Sequence, residues 1–170
     1  LELAFKLGEI DEVEGFFNNP FQKEWEKHIE VETQIKKDCY LGLFLNNKDP
    51  LLGNKDLRQA LNYAIQHKED GETRAYSPWI PLFCQPHWKL KTYNYNQEKA
   101  KELLKKFNKD KKEKIKIKIL TSQAFLSLAE DIKNSWRNVL GAETEIEIIN
   151  FLPQDYQAFL GIQKVPVDPD

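Results

Sequence analysis

Three histidines, two cysteines and a run of closely spaced aromatics are the side chains of this sequence with most chemistry to offer. His28, His67 and His87 are scattered, and there is no C-x-x-C and no cysteine–histidine spacing typical of a zinc site. There is no G-x-S-x-G elbow, no H-E-x-x-H helix and no phosphate-cradling glycine loop. Adjacent acids such as Glu130 and Asp131 read as the solvated side of a helix. No catalytic group, metal ligand or cofactor is therefore assigned.

Residues 76–95, YSPWIPLFCQPHWKLKTYNY, hold three prolines, so they cannot form regular helix. Trp79, Phe83, Trp88, Tyr93 and Tyr95 offer flat apolar faces for stacking on a ligand, or for pinning an extended segment to the core. Eight lysines between Lys105 and Lys118, with Asp110 and Glu113 among them, read as a solvated helix end, turn and strand face. The net charge of −2 with 31% charged residues points to neither nucleic acid nor an anionic membrane. Mean hydropathy is −0.64, and no apolar run approaches the ~20 residues that span a bilayer. The sequence lacks methionine altogether, including at its first position, and shows no signal-peptide pattern, so a processed or excised segment is expected. Cys39 and Cys84 read as partly buried unpaired thiols, with a disulfide open to an exported protein.

The elements that would position these groups follow from hydrophobic periodicity. Tyr40–Leu45 is an apolar run of strand length, and 46–53 is turn chemistry. Asn54 then caps a helix whose Leu57, Ala60, Leu61, Ala64 and Ile65 share one face. Before this, a short helix ends at Gly8, Ile10–Val13 starts a strand, and Asn19-Pro20 opens a helix with Phe21, Trp25 and His28 on one side. Ile29–Ile35 alternates as a half-exposed strand. Asn96 caps a helix facing inward through Ala100, Leu103, Leu104 and Phe107. Ile115, Ile117 and Ile119 alternate with lysines as a strand. Phe125, Leu128, Ile132, Trp136 and Val139 give a helix ending near Gly141, and Glu143–Ile149 is a strand with Ile146 and Ile148 inward. Strand, helix and strand make a βαβ unit, for which a parallel pair is expected. Pro153–Leu160 reads as a last short helix and Gly161–Val165 as a last strand. The expected class is α/β, and 170 residues suffice for one domain with a real core or for a piece of a larger one.

The central stretch also carries a resemblance. A strand ending in Asn46-Asn47, a loop with Pro50, then D-x-R-Q-A-L-x-Y-A-I from Asp56 to Ile65 resembles the family 5 extracellular solute-binding proteins. Gly8 to Asp11, the Tyr95-Asn96…Ala100…Leu103-Leu104 pattern and the terminal Asp168-Pro169-Asp170 fall in the same order as in that family. Two departures stand out: Gln66-His67 replaces the family's Asp-Arg, and Gly71 follows the helix at once.

The resemblance implies a type II periplasmic-binding-protein-like fold, a mixed sheet flanked by helices, of which residues 1–170 would form a single α/β lobe, most of lobe II, without lobe I. It implies binding rather than catalysis: capture of a peptide or other small solute, such as a nickel chelate, for ABC permease subunits in the membrane. Such a protein, often a lipoprotein, works in the periplasm or at the outer face of the cytoplasmic membrane. Two lobes close over the ligand about a hinge. Family members present the segment matching Ile162, Gln163, Lys164 and Val165 to the cleft, and Leu43 and Asn46 on the organising strand are further ligand candidates. Val165 stands where peptide-binding members carry an aspartate for the ligand's α-ammonium; valine cannot neutralise that charge and Lys164 repels it. A binding-protein-like interaction or sensing domain that has lost transport is the alternative, and an α/β enzyme the third reading.

Overall fold

The computed structural model describes residues 1–15, 21, 27–32, 34, 38–66, 75, 91–110 and 114–164. The chain divides into two compact units, Leu1–Ile35 and Lys36–Asp170. In the first, helix α1 (Glu2–Lys6) is followed by Gly8 at φ 71°, as its sequence suggests. The Phe5 ring lies 5.0 Å from that of Phe21. Among the described residues neither strand expected here forms: Ile10–Val13, Ile29–Glu32 and Gln34 are irregular. Alternation alone makes no strand without a ladder to join, and Val31, expected on the apolar side, is 55% exposed. The Asn19-Pro20 helix start, Trp25, His67, Trp79, Phe83, Cys84, His87, Trp88, Val165 and Asp168–Asp170 lie outside the described residues.

The second unit is built on a four-stranded sheet of order β1-β4-β2-β3. Its strands are β1 (Cys39–Leu45), β2 (Lys116–Thr121), β3 (Glu143–Ile148) and β4 (Ala158–Lys164). β1 runs antiparallel to β4 along its whole length, from Cys39 opposite Lys164 to Leu45 opposite Ala158. β2 is parallel to both β3 and β4. The βαβ expectation holds, with α4 (Leu126–Leu140) as the crossover. The fold is mixed α/β.

Helices α2 (Lys55–Ala64), α3 (Gln97–Asp110) and α4 share one core with one sheet face. That face carries Ile117, Ile119, Ala158 and Leu160, with Leu43, Leu45 and Ile146 at its margin. On the opposite face, Lys116 pairs with Glu143 at 3.1 Å and Lys118 with Glu147. There too Phe44 stacks on Phe159, 6.0 Å between centroids, with Tyr40 and Tyr156 alongside.

The termini of α2 show how sequence becomes structure. Asn54 caps the first turn, its Oδ1 accepting from the Leu57 N–H at 3.1 Å. Arg58 reaches back to donate to the Leu52 and Gly53 carbonyls at 2.6 and 2.9 Å, locking the preceding loop. A helix ends with four carbonyls that have no intrahelical donor. Here the buried Trp136 indole donates to Leu61 O at 3.0 Å, Ile65 N–H to Asn62 O, and Asn96 N–H to Tyr63 O. α4 ends at Gly141, whose φ of 67° suits a glycine and lets Ala142 N–H fold back on Trp136 O.

Three expectations in this unit are corrected. Pro153–Gln157 is not helical, and β4 begins at Ala158 rather than Gly161. The backbone there is captured sideways: Asn46 N–H donates to Gln157 O, Asn46 Nδ2 to Tyr156 O, and the Gln157 side chain bonds Lys118 N–H and Lys116 O. Ile148 is 39% exposed, and Ile149, just past β3, is the buried residue. Leu128 turns outward; Ala129, Ile132, Trp136, Val139 and Leu140 form the inward stripe of α4, while Phe125 sits in a 3-10 turn before it.

Candidate functional site

The parallel strands stop at different heights, and a cleft opens where they stop. β2 ends its pairing with β4 at Thr121 opposite Leu160, whereas β4 continues to Lys164. Above that rung lies an open cleft of about 400 Å³. Its walls are Ser122 and Phe125 beyond β2, Ile149–Leu152 beyond β3, and Phe159–Ile162 of β4. This is the carboxyl end of a parallel sheet, where open α/β folds place their ligands.

Hydrogen bonds fix which way the β4 backbone faces. Gln157 O accepts from Asn46 N–H, on the β1 side, and Leu160 O accepts from the Thr121 hydroxyl at 3.0 Å, on the β2 side. Backbone groups alternate along a strand, so Ile162, two residues beyond Leu160, aims its N–H and C=O to the β2 side. β2 no longer runs beside it there. Ile149 N–H donates to Thr121 O at 2.8 Å and closes the floor of the opening.

Among the described residues the walls are mostly apolar and carry no charge. Phe151 and Leu152 stand at the lip, 74% and 78% exposed. Ser122, which makes no side-chain capping bond, and Asn150 supply neutral polar groups. On the opposite sheet face, the hydrogen bond and charge of Glu147 hold the Lys118 ammonium pKa above its usual value. Among the described residues no group of three or more His, Cys, Asp and Glu is placed to hold a metal ion, and no helix is long and apolar enough to cross a membrane.

Residues 2–161 match the profile of the bacterial extracellular solute-binding proteins, family 5 Middle. The chain belongs to this family. No curated protein matches it. Among solved structures, the pheromone receptor PrgZ superposes with TM-score 0.70 at 18% identity, over 96% of this chain and 37% of that one. NikZ from Campylobacter jejuni, solved with Ni(L-His), gives 0.57 at 20% identity, over 81% of this chain and 32% of that one. OppA from Listeria monocytogenes, bound to peptide, gives 0.62 at 16% identity, over 76% and 31%. These likenesses show the type II periplasmic-binding-protein-like fold, and the chain spans about a third of each of these structures.

In this family 5 chain the residues singled out from sequence are spread over the sheet. Ile162 lines the cleft. Gln163 lies on the opposite face, in register with Tyr40, and donates to Lys164 O at 3.0 Å. Lys164 is exposed at the end of β4, opposite Cys39, a half-buried free thiol. Leu43 sits opposite Leu160 and packs against the core. Asn46 is at the other end of the sheet from Ile162, roughly 17 Å away at the usual strand rise. Both ends of its side chain are engaged, donating to Tyr156 O and accepting from Lys48 N–H at 2.9 Å.

Sequence reading passed over Ser122, Phe125, Phe159 and 149–152. The signal available for them was positional: Asn150-Phe151-Leu152 follows directly on a strand of a βαβ unit, at the end where such sheets bind ligands.

Proposed function

We propose that this chain is one ligand-binding lobe of a two-lobed solute-binding protein that captures a peptide or related small solute for an ABC importer. The observation that carries the reading is the β4 edge beyond β2, unpaired among the described residues, with the Ile162 backbone facing the cleft. An extended peptide adds to such an edge by main-chain hydrogen bonds, which give affinity without reading sequence. Family membership and the peptide and nickel complexes of the structural relatives support it. A second lobe supplies the facing wall, and closure about the hinge presents the loaded form to the permease. Delivery outside the cytoplasmic membrane accords with the extracellular character of the family.

The test uses the full-length protein and tetra-alanine peptides, with Kd measured by calorimetry for wild type and Ile162→Pro. Proline at 162 removes an N–H outside the ladder with β1, so the fold is retained. Affinity is expected to fall roughly tenfold, the worth of one good hydrogen bond. Peptides N-methylated at one amide at a time give the same reading without altering the protein. Unchanged affinity in both series sinks the edge-pairing reading; no binding of any peptide or nickel–histidine chelate favours a sensing or interaction domain.

A further inference from the structure

We infer that this half of the cleft selects a ligand bearing an apolar, uncharged side chain, read by Phe125, Phe151, Leu152 and Ile162. The inference rests on the peptide-lobe reading above and narrows its ligand.

Three observations carry it. Among the described residues none lining the cleft is ionisable, so a charged ligand group seated against them would lose hydration without gaining a counter-charge. Ser122 and Asn150 are neutral, matching the amides of a peptide rather than its termini or an acidic or basic side chain. Next, Phe151 and Leu152 hold large apolar surfaces in water at 74% and 78% exposure, beside a cleft of about 400 Å³, within the ~300–1,000 Å³ range of ligand sites. Covering them with an apolar side chain is the gain the site has to offer. Finally, strand pairing sets direction. A ligand residue opposite Ile162 places its side chain on the same sheet face as Ile162, the helix-covered face that Leu160 shares. Phe125, at the start of the α4 crossover, packs against the core on that side. Among the described residues these walls offer a nickel chelate no His, Cys, Asp or Glu.

The experiment uses the full-length protein and tetra-alanine peptides carrying a single Leu, Glu or Lys at each position, with Kd by calorimetry, alongside Ni(II) with L-histidine. At one position Leu is expected to bind roughly tenfold tighter than Ala, with Glu and Lys weaker than Ala. Phe151→Lys and Leu152→Lys, at exposed positions that leave the fold unstrained, are expected to erase the Leu preference and to improve Glu there. Peptide binding with no apolar preference at any position, or a preference that both variants leave intact, overturns the inference while the peptide-lobe reading stands. Binding of the nickel chelate alone, or of no probe, overturns both.

Discussion

The Thr121 hydroxyl donates to the Leu160 carbonyl across 3.0 Å, at the last rung between β2 and β4. Thr121 is fully buried, and directly above it the two strands part and the cleft begins. Thr121→Val keeps the shape but removes the donor from a buried carbonyl. Stability is expected to fall by about 1 kcal/mol, read as a lower urea midpoint at unchanged slope.

Thr144, on β3, makes the opposite case. Its Oγ1 is buried and has no hydrogen-bond partner among the described residues. A hydroxyl desolvated without a partner costs free energy that an isosteric methyl does not. Thr144→Val is expected to raise stability by up to about 1 kcal/mol. A lowered thermal midpoint would show that the hydroxyl is needed.

Trp136 joins two helices, since its indole satisfies the Leu61 carbonyl that the end of α2 leaves open. Trp136→Phe removes that donor and part of the buried volume. A loss of about 2 kcal/mol is expected, with the earliest rise in amide exchange at the C-terminal turn of α2. Uniform loss of protection across the unit would argue against a capping role.

On α3, Lys106 lies 2.8 Å from Glu102 one turn earlier. Its hydrogen bond, then its charge, holds the Glu102 carboxyl below the usual range, and Glu102 in turn raises Lys106. The signs follow from linkage. The Glu102 contribution is present above its unfolded pKa and is lost as pH falls through the lowered folded value. The Lys106 contribution is present below its unfolded pKa and is lost as pH rises through the raised one. Carboxyl chemical shifts are expected to give Glu102 a depressed midpoint that Lys106→Gln restores and that 1 M salt, where the screening length is about 3 Å, weakens. A midpoint indifferent to the Lys106 variant would remove the pair from the account.

The D-x-R-Q-A-L-x-Y-A-I run was legible because its residues do local work. Arg58 holds the loop carbonyls, Gln59 meets the Tyr93 hydroxyl at 3.2 Å, and Leu57, Ala60, Leu61 and Ala64 fill the core. The helix caps at Asn54 and Asn96, the αL stop at Gly141 and the parallel β2–β3 pair were legible for the same reason: each depends on neighbours in sequence or on one crossover.

By itself, then, the sequence determined the family, the α/β class, helices α2, α3 and α4, and the absence of a recognisable catalytic motif. Only the tertiary structure decided where β4 starts, which way its backbone faces, and that Asn46 and Ile162 lie at opposite ends of one sheet. Those depend on partners far along the chain: Asn46 N–H on Gln157, the Gln157 side chain on β2, and Thr121 on Leu160. Local preference made 153–160 resemble a helix, and long-range hydrogen bonds that no local pattern encodes drew its last residues into the sheet. The cleft exists because β2 is shorter than β4 at that end, a difference in pairing visible only once the strands are side by side.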